Sequence, residues 1–325
     1  MNDPLFQRCS GFARAEALDP AGTAGSYRGY VALDVPLPWL SEITDHPEIS
    51  PAAGALRSAG VRLQGVVPDP GRPPASRRMV TFLRPDGPFD GYRTAAWTVS
   101  ADGVTDALLA VAASVDAAAP AAGPDGNGGG PAGSATPASG DGDGGRYVLV
   151  CTHGKRDACC GSLGTRLATT LPGLGAGVHV WRTSHTGGHR FAPTALLLPE
   201  GTAWAYLDLD ALVGISDRTL DVHQAVRFYR GCMGLDEPEV QAAEREALRT
   251  VGWSWLDLRR EGRVLERDGG RTWVCLEGTA PDGARTTFVA TVEVARLVPV
   301  PDCGKPPEHA RKSAPELRVS GFRAA

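Results

Sequence analysis

The chain has 325 residues, of which 42% are hydrophobic, 6% aromatic and 22% charged, and its formal net charge is -4. That apolar content suits two or three globular units and excludes a disordered chain, while the mild, mixed charge excludes a broad electrostatic footprint for nucleic acid. No apolar run approaches the roughly 18 residues that span a bilayer, and the opening MNDPLFQRCSGFARAEALDP lacks the basic-then-apolar order of a signal peptide, so a cytoplasmic protein with no membrane partner is expected.

In chain order, residues 30–35 read as a strand, 52–59 as a short helix and 61–67 as a second strand. Two more strands follow at 78–83 and 92–99, then an apolar-striped helix at 104–115. A tract of Ala, Gly, Pro, Ser and Asp next occupies 117–146; it has no large apolar side chain to bury and is expected to be a flexible linker. Beyond it the same order recurs: strand 147–151, helix 162–171, strand 178–183, strands 195–198 and 204–207 about a Pro-Glu-Gly turn, and helix 219–229. A βαβ unit followed by a hairpin and a helix is the outline of a thioredoxin-like fold. The expected division is therefore an N-terminal thioredoxin-like α/β unit (1–116), the linker, a second thioredoxin-like domain (147–235) and a small α+β region (236–325). That last region opens with an amphipathic helix at 238–251 and continues into strand-like stretches at 271–276 and 286–297, with nothing that points to chemistry.

Seven Cys and seven His make an odd thiol count that fits metal or redox chemistry better than a disulfide framework. Two segments concentrate them. VLVCTHGKRDACCGSLGTRL (148–167) sets Cys151 at the end of a buried strand and Cys159 and Cys160 just before a helix. VWRTSHTGGHRFAPTALLLPEG (180–201) sets His185 and His189 four apart in a loop that Gly187, Gly188 and Pro193 keep from being helical. Two thiolates and two imidazoles suit zinc or a [2Fe-2S] cluster. The His spacing matches half a zinc finger, but Cys151 and Cys160 stand nine apart rather than two to four. Cys151-Thr152-His153 looks like the first box of a Rieske protein, yet no Cys is followed two or three residues later by His, so His153 is expected to support the site rather than ligate. Cys9, Cys232, Cys275 and Cys303 show no ligand spacing and read as core or incidental thiols.

Cys-Thr-His-Gly-Lys-Arg-Asp-Ala-Cys-Cys-Gly from Cys151, followed by Trp-Arg-Thr-Ser-His-Thr-Gly-Gly-His-Arg-Phe-Ala-Pro from Trp181, resembles the sucrase/ferredoxin-like family. These are relatives of thioredoxin-like [2Fe-2S] ferredoxins in which a Cys pair is replaced by His-x3-His. The resemblance implies that Cys151 and Cys160, the latter directly before Gly161, bind one iron, and that His185 and His189 bind the other. Cys159 stands where relatives often carry another residue. No paired carboxylates recommend a glycosidase.

Around these ligands, Lys155 and Arg156 are candidates to screen a cluster's charge, Asp157 to fix its loop, and Arg182 and Arg190 to border an electron-transfer surface. The expected function is an electron carrier with neutral imidazoles that raise its potential, coupled to proton uptake at His185 or His189. Without a flavin or nicotinamide fingerprint it needs a partner reductase or oxidoreductase. The competing readings are a zinc-stabilised Cys2His2 binding protein and, with less support, a thiol oxidoreductase using Cys159 and Cys160.

Overall fold

Near-continuous apolar strands with parallel neighbours are those that bury both faces, and the strands that open the two halves of this chain are of that kind. In the computed structural model, which describes residues 8–116, 135–137, 145–171 and 173–325, Gly29–Asp34 is buried at every position and Arg146–Cys151 at every position but the first. The linker read over 117–146 lies outside the described residues except for 135–137 and 145–146.

A first helix, α1 (Cys9–Ala15), precedes β1 (Gly29–Asp34), α2 (Ser50–Ser58), β2 (Val61–Val66), β3 (Ser76–Leu83), β4 (Arg93–Ser100) and α3 (Val104–Asp116). After β5 (Ala135–Pro137) come β6 (Arg146–Cys151), a π-helical turn at Cys160–Gly164, α4 (Thr165–Thr170), β7 (Val178–Thr183), β8 (Ala195–Leu198) and β9 (Thr202–Trp204). Then follow α5 (Leu209–Ser216), α6 (Val222–Ala225), β10 (Tyr229–Cys232) and α7 (Pro238–Val251). Four last strands, β11 (Arg259–Asp268), β12 (Arg271–Thr279), β13 (Arg285–Pro299) and β14 (Ser313–Ala324), form an antiparallel sheet in chain order.

The other ten strands make one sheet, ordered β10-β9-β8-β6-β7-β2-β1-β3-β4-β5. Each half has the same arrangement: a parallel pair (β1 with β2, β6 with β7), an antiparallel partner on the first strand's other side (β3, β8), and a hairpin strand beyond it (β4, β9). The architectural repeat expected from the element order is thus present in the strand pairing. The halves meet edge to edge where β2 and β7 pair antiparallel at Val66 and Thr183. The amide of Val67 donates to the Arg182 carbonyl (3.0 Å) and that of Ser184 to the Gly65 carbonyl (2.7 Å), which extends the seam beyond the paired residues. One core, built on Val31, Leu33, Leu63 and Met79, lies under α2 and α3; a larger one runs from Tyr30 and Phe82 through β6 and β8 to α7 and the second sheet.

Two local expectations need correction. The helix expected at 219–229 is cut to the single turn α6, because Tyr229–Cys232 pairs with β9 as a strand. The apolar run before it holds α5, whose start is capped by the Asp208 carboxylate accepting from the Ala211 amide at 2.8 Å. The strand expected at 204–207 lies earlier, at Thr202–Trp204. In each case cross-strand pairing outweighed local periodicity. No helix among the described residues is long and apolar enough to cross a membrane.

Candidate metal centre

Parallel pairing aligns Cys151 with Thr183, so the segments that leave β6 and β7 emerge side by side at the same end of the sheet. This register converts two distant sequence motifs into one site. The first segment turns sharply back into its helix, and glycines make the turn possible. A Cβ on Gly164 would stand 1.9 Å from the Cys151 carbonyl oxygen, and one on Gly161 would stand 2.4 Å from Gly154 Cα. Asp157 caps the start of the helical turn, with its Oδ1 accepting from the amides of Cys159 (2.9 Å) and Cys160 (3.2 Å). The π-helical opening at Cys160–Gly164 is a local departure of a kind that concentrates at functional sites.

The ligand atoms of Cys151, Cys160 and His185 lie within 4.8 Å of one another, with both thiols fully buried. Cys160 donates to Cys151, and with His185 this holds the Cys151 thiol well below its usual range against the opposing effect of burial. The same hydrogen bond, reinforced by burial, pushes Cys160 well above that range. His185 Nδ1 is buried without a hydrogen-bond partner among the described residues. A buried imidazole nitrogen beside a thiolate pair is a donor set that fits a soft or borderline metal or an iron–sulfur group.

His189 is not part of that group. Its ring centroid lies 6.0 Å from that of His185, and its Nδ1 stands 2.9 Å from Asp157 Oδ2 and 3.4 Å from Cys9 Sγ. Nδ1 is thereby occupied, and Nε2 is the nitrogen left for a ligand. The loop that carries both imidazoles is shaped by Gly187 and Gly188, with φ of 87° and 70°.

His153 supports the loop from below. Its Nε2 lies 2.8 Å from the Leu40 carbonyl oxygen and so carries the proton, while its Nδ1 accepts from the His185 amide at 3.3 Å. Burial lowers its pKa, consistent with this neutral tautomer. Arg156 is half exposed and pairs with Glu42, Arg182 lies on β7 at the seam, and Arg190 is buried over the Phe191 ring at 4.7 Å. Lys155, Arg156, Arg190 and Lys312 line a cleft of about 930 Å³ that opens onto His185 and His189.

Two arginines far from the motifs hold the histidine loop, and no local spacing could have singled them out. Arg230, 2% exposed, donates through Nη1 to the Gly187 carbonyl (3.2 Å) and through Nε to Thr23 Oγ1 (3.1 Å). A Cβ on Gly188 would stand 2.7 Å from its guanidinium carbon. Burial pushes the Arg230 pKa down to about 10. Arg62, on β2 across the seam, donates to the His185 carbonyl at 2.6 Å.

Cys9 and Cys303, expected to be core or incidental, instead converge on Cys159 beside Asp157. The hydrogen bonds that Cys303 and Cys9 donate pull Cys159 down to about 2 against the opposing effect of burial. In return Cys159 holds the proton on Cys303, pushed up to about 11, and on Cys9, raised further by Cys303 and burial.

A family model described as Sucrase/ferredoxin-like matches residues 20–231, about two thirds of the chain. No curated protein and no solved structure matches.

Proposed function

Since the chain belongs to the sucrase/ferredoxin-like family, we propose that it is an electron-transfer protein binding one [2Fe-2S] cluster through Cys151, Cys160, His185 and His189. The observation that carries this reading is the convergence of the Cys151 and Cys160 sulfurs with His185, whose buried Nδ1 has no hydrogen-bond partner among the described residues. His189 completes the set through Nε2, since Asp157 accepts from its Nδ1; such a carboxylate fixes the tautomer of a ligating imidazole. When bound, the cluster takes up and releases a single electron at a potential set by its ligands and their hydrogen bonds. The protein's own contribution is to bury the two sulfurs, fix His185 through His153 and Arg62, and place the cationic Arg230 behind the loop. The partner is a reductase or oxidoreductase that docks at the cleft lined by Lys155, Arg190 and Lys312 in the cytoplasm.

Elemental and sulfide analysis of anaerobically purified protein tests this directly. About two irons and two sulfides per chain, in a red-brown protein, are expected; a colourless, iron-free protein overturns the reading. The ligand assignment has its own test. Cys160→Ser loses the cluster, Cys159→Ser keeps it, and His185→Cys or His189→Cys keeps it at a lower potential because a thiolate adds negative charge to the irons. A Cys159→Ser protein without iron would show the assignment to be wrong.

A further inference from the structure

We propose that Cys9, Cys159, Cys303 and Asp157 form a second metal site that takes a single zinc ion, next to and separate from the Cys151, Cys160 and His185 group. The three sulfurs are mutually close: Cys9 to Cys159 3.7 Å, Cys9 to Cys303 3.3 Å and Cys159 to Cys303 3.0 Å. Asp157 reaches the same point, with Oδ2 3.5 Å from Cys9 Sγ and Oδ1 3.5 Å from Cys303 Sγ. All four ligand atoms lie within 4.8 Å of one another.

These spacings identify the kind of ion. With zinc–sulfur bonds of about 2.3 Å, tetrahedral geometry sets ligand sulfurs about 3.8 Å apart, so an opening of at most about 0.8 Å, between Cys159 and Cys303, seats the ion. An iron–sulfur cluster distributes its thiolates over several irons, whereas three sulfurs in mutual contact converge on one centre. Thiolates with a carboxylate are also a poor match for magnesium or calcium, which prefer oxygen-only shells.

Electrostatics point the same way. A buried carboxylate and three thiol groups crowd one point. A divalent cation bound there takes the place of the thiol protons and compensates the charge of the whole set. The carboxylate is already oriented, with Oδ1 on the amides of Cys159 and Cys160 and Oδ2 on His189 Nδ1, as the outer contacts of a metal ligand are.

The four ligands come from α1, the Lys155–Arg156–Asp157 turn, the residue before the π-helical turn and the connection between β13 and β14. Cys9 and Cys303 both lie outside residues 20–231, so this site is additional to whatever that matched segment holds by itself. An ion here ties the two ends of the chain together across the candidate redox centre.

Elemental analysis of the full chain, purified anaerobically without chelator, tests the proposal. About one zinc per chain is expected; it persists in Cys151→Ser and is lost in both Cys9→Ser and Cys303→Ser. Wild-type protein without zinc, or zinc that follows Cys151 and ignores Cys9 and Cys303, overturns it. So does a disulfide among Cys9, Cys159 and Cys303 in the fresh protein, read from its mass after alkylation. Should Cys9→Ser and Cys303→Ser fail to fold, cobalt(II) added to metal-stripped Cys151→Ser protein replaces them as the readout. Near-ultraviolet thiolate-to-cobalt absorption that equimolar zinc abolishes supports the site, and its absence overturns it. Iron and sulfide content reports separately on the cluster, so either reading can fail while the other stands.

Discussion

Gly164 shows how a residue without a side chain decides the site. Its backbone is helical and ordinary, but any Cβ would occupy the Cys151 carbonyl, so Gly164→Ala must push the helix start away from the strand that carries Cys151. Such overpacking costs about 1–3 kcal/mol. The variant is expected to lose stability by that amount in denaturant titrations and to hold less iron, whereas Gly173→Ala, with open space at its Cβ, loses neither. Arg230 acts by charge rather than by fit. Its guanidinium is buried against the carbonyl of the histidine loop, and Arg230→Met removes a fixed cation from behind a centre that becomes more negative on reduction. A lower reduction potential in a variant that still binds iron is expected, and voltammetry showing no change would remove Arg230 from the electrostatics of the site. The difference in legibility between these residues is physical. Cys151, Cys160, His185, His189 and the glycines among them sit within two short segments whose chemistry is local, whereas Arg230 and Arg62 reach the site only through strand pairing that no spacing encodes.

Among the elements, α7 was the most readable of the C-terminal region, because its apolar positions recur at helical spacing and it buries Val240, Ala243, Ala247 and Leu248. The same helix buries Glu244, which stands four residues from both Val240 and Leu248 and so falls within the apolar stripe. Glu244 accepts from Arg260 (3.1 Å) and Trp255 Nε1 (3.0 Å), and Arg260 of β11 in turn reaches the Glu200 carbonyl. Both charges are 1% exposed or less. Glu244→Ala strands the guanidinium and is expected to cost about 3–5 kcal/mol, measured by chemical denaturation, with iron per folded chain unchanged because neither partner belongs to the group formed by Cys151, Cys160 and His185. Replacing both partners with apolar residues of similar volume should restore most of the loss, which separates burial of an uncompensated charge from simple loss of packing.

The whole molecule is held by ties between segments far apart in sequence. Asp236, just before α7, accepts from Ser26 and from Arg84 at 2.5 and 2.6 Å, joining the first half to the C-terminal region. Partial burial raises its pKa, but the Arg84 and Ser26 hydrogen bonds outweigh that and carry the carboxyl below its ordinary value. A carboxyl depressed on folding stabilises the native state above its unfolded pKa of about 3.9, and the contribution disappears as pH falls through the folded value. Because Asp236 is 67% exposed, solvent screening keeps the effect under about 1 kcal/mol. Asp236→Asn should therefore be slightly less stable than wild type at pH 7, by a margin that shrinks as pH falls below about 3.9; a difference that widens in acid would contradict the sign.

By itself the sequence determined the repeated βαβ-hairpin order, the paired motifs around Cys151 and His185 and the family they belong to, because each depends on periodicity or spacing within a few turns of chain. Tertiary structure alone decided that the two halves share one sheet through β2 and β7, that Tyr229–Cys232 is a strand, and that Cys9 and Cys303 come together. Cys9 rides on α1, which packs on the histidine loop through Phe12 and Phe191, and Cys303 hangs from the connection after β13 near Val298 in the same cluster. Two thiols 294 positions apart carry no mutual signal in a single sequence; packing of the chain ends over the centre brings them to 3.3 Å.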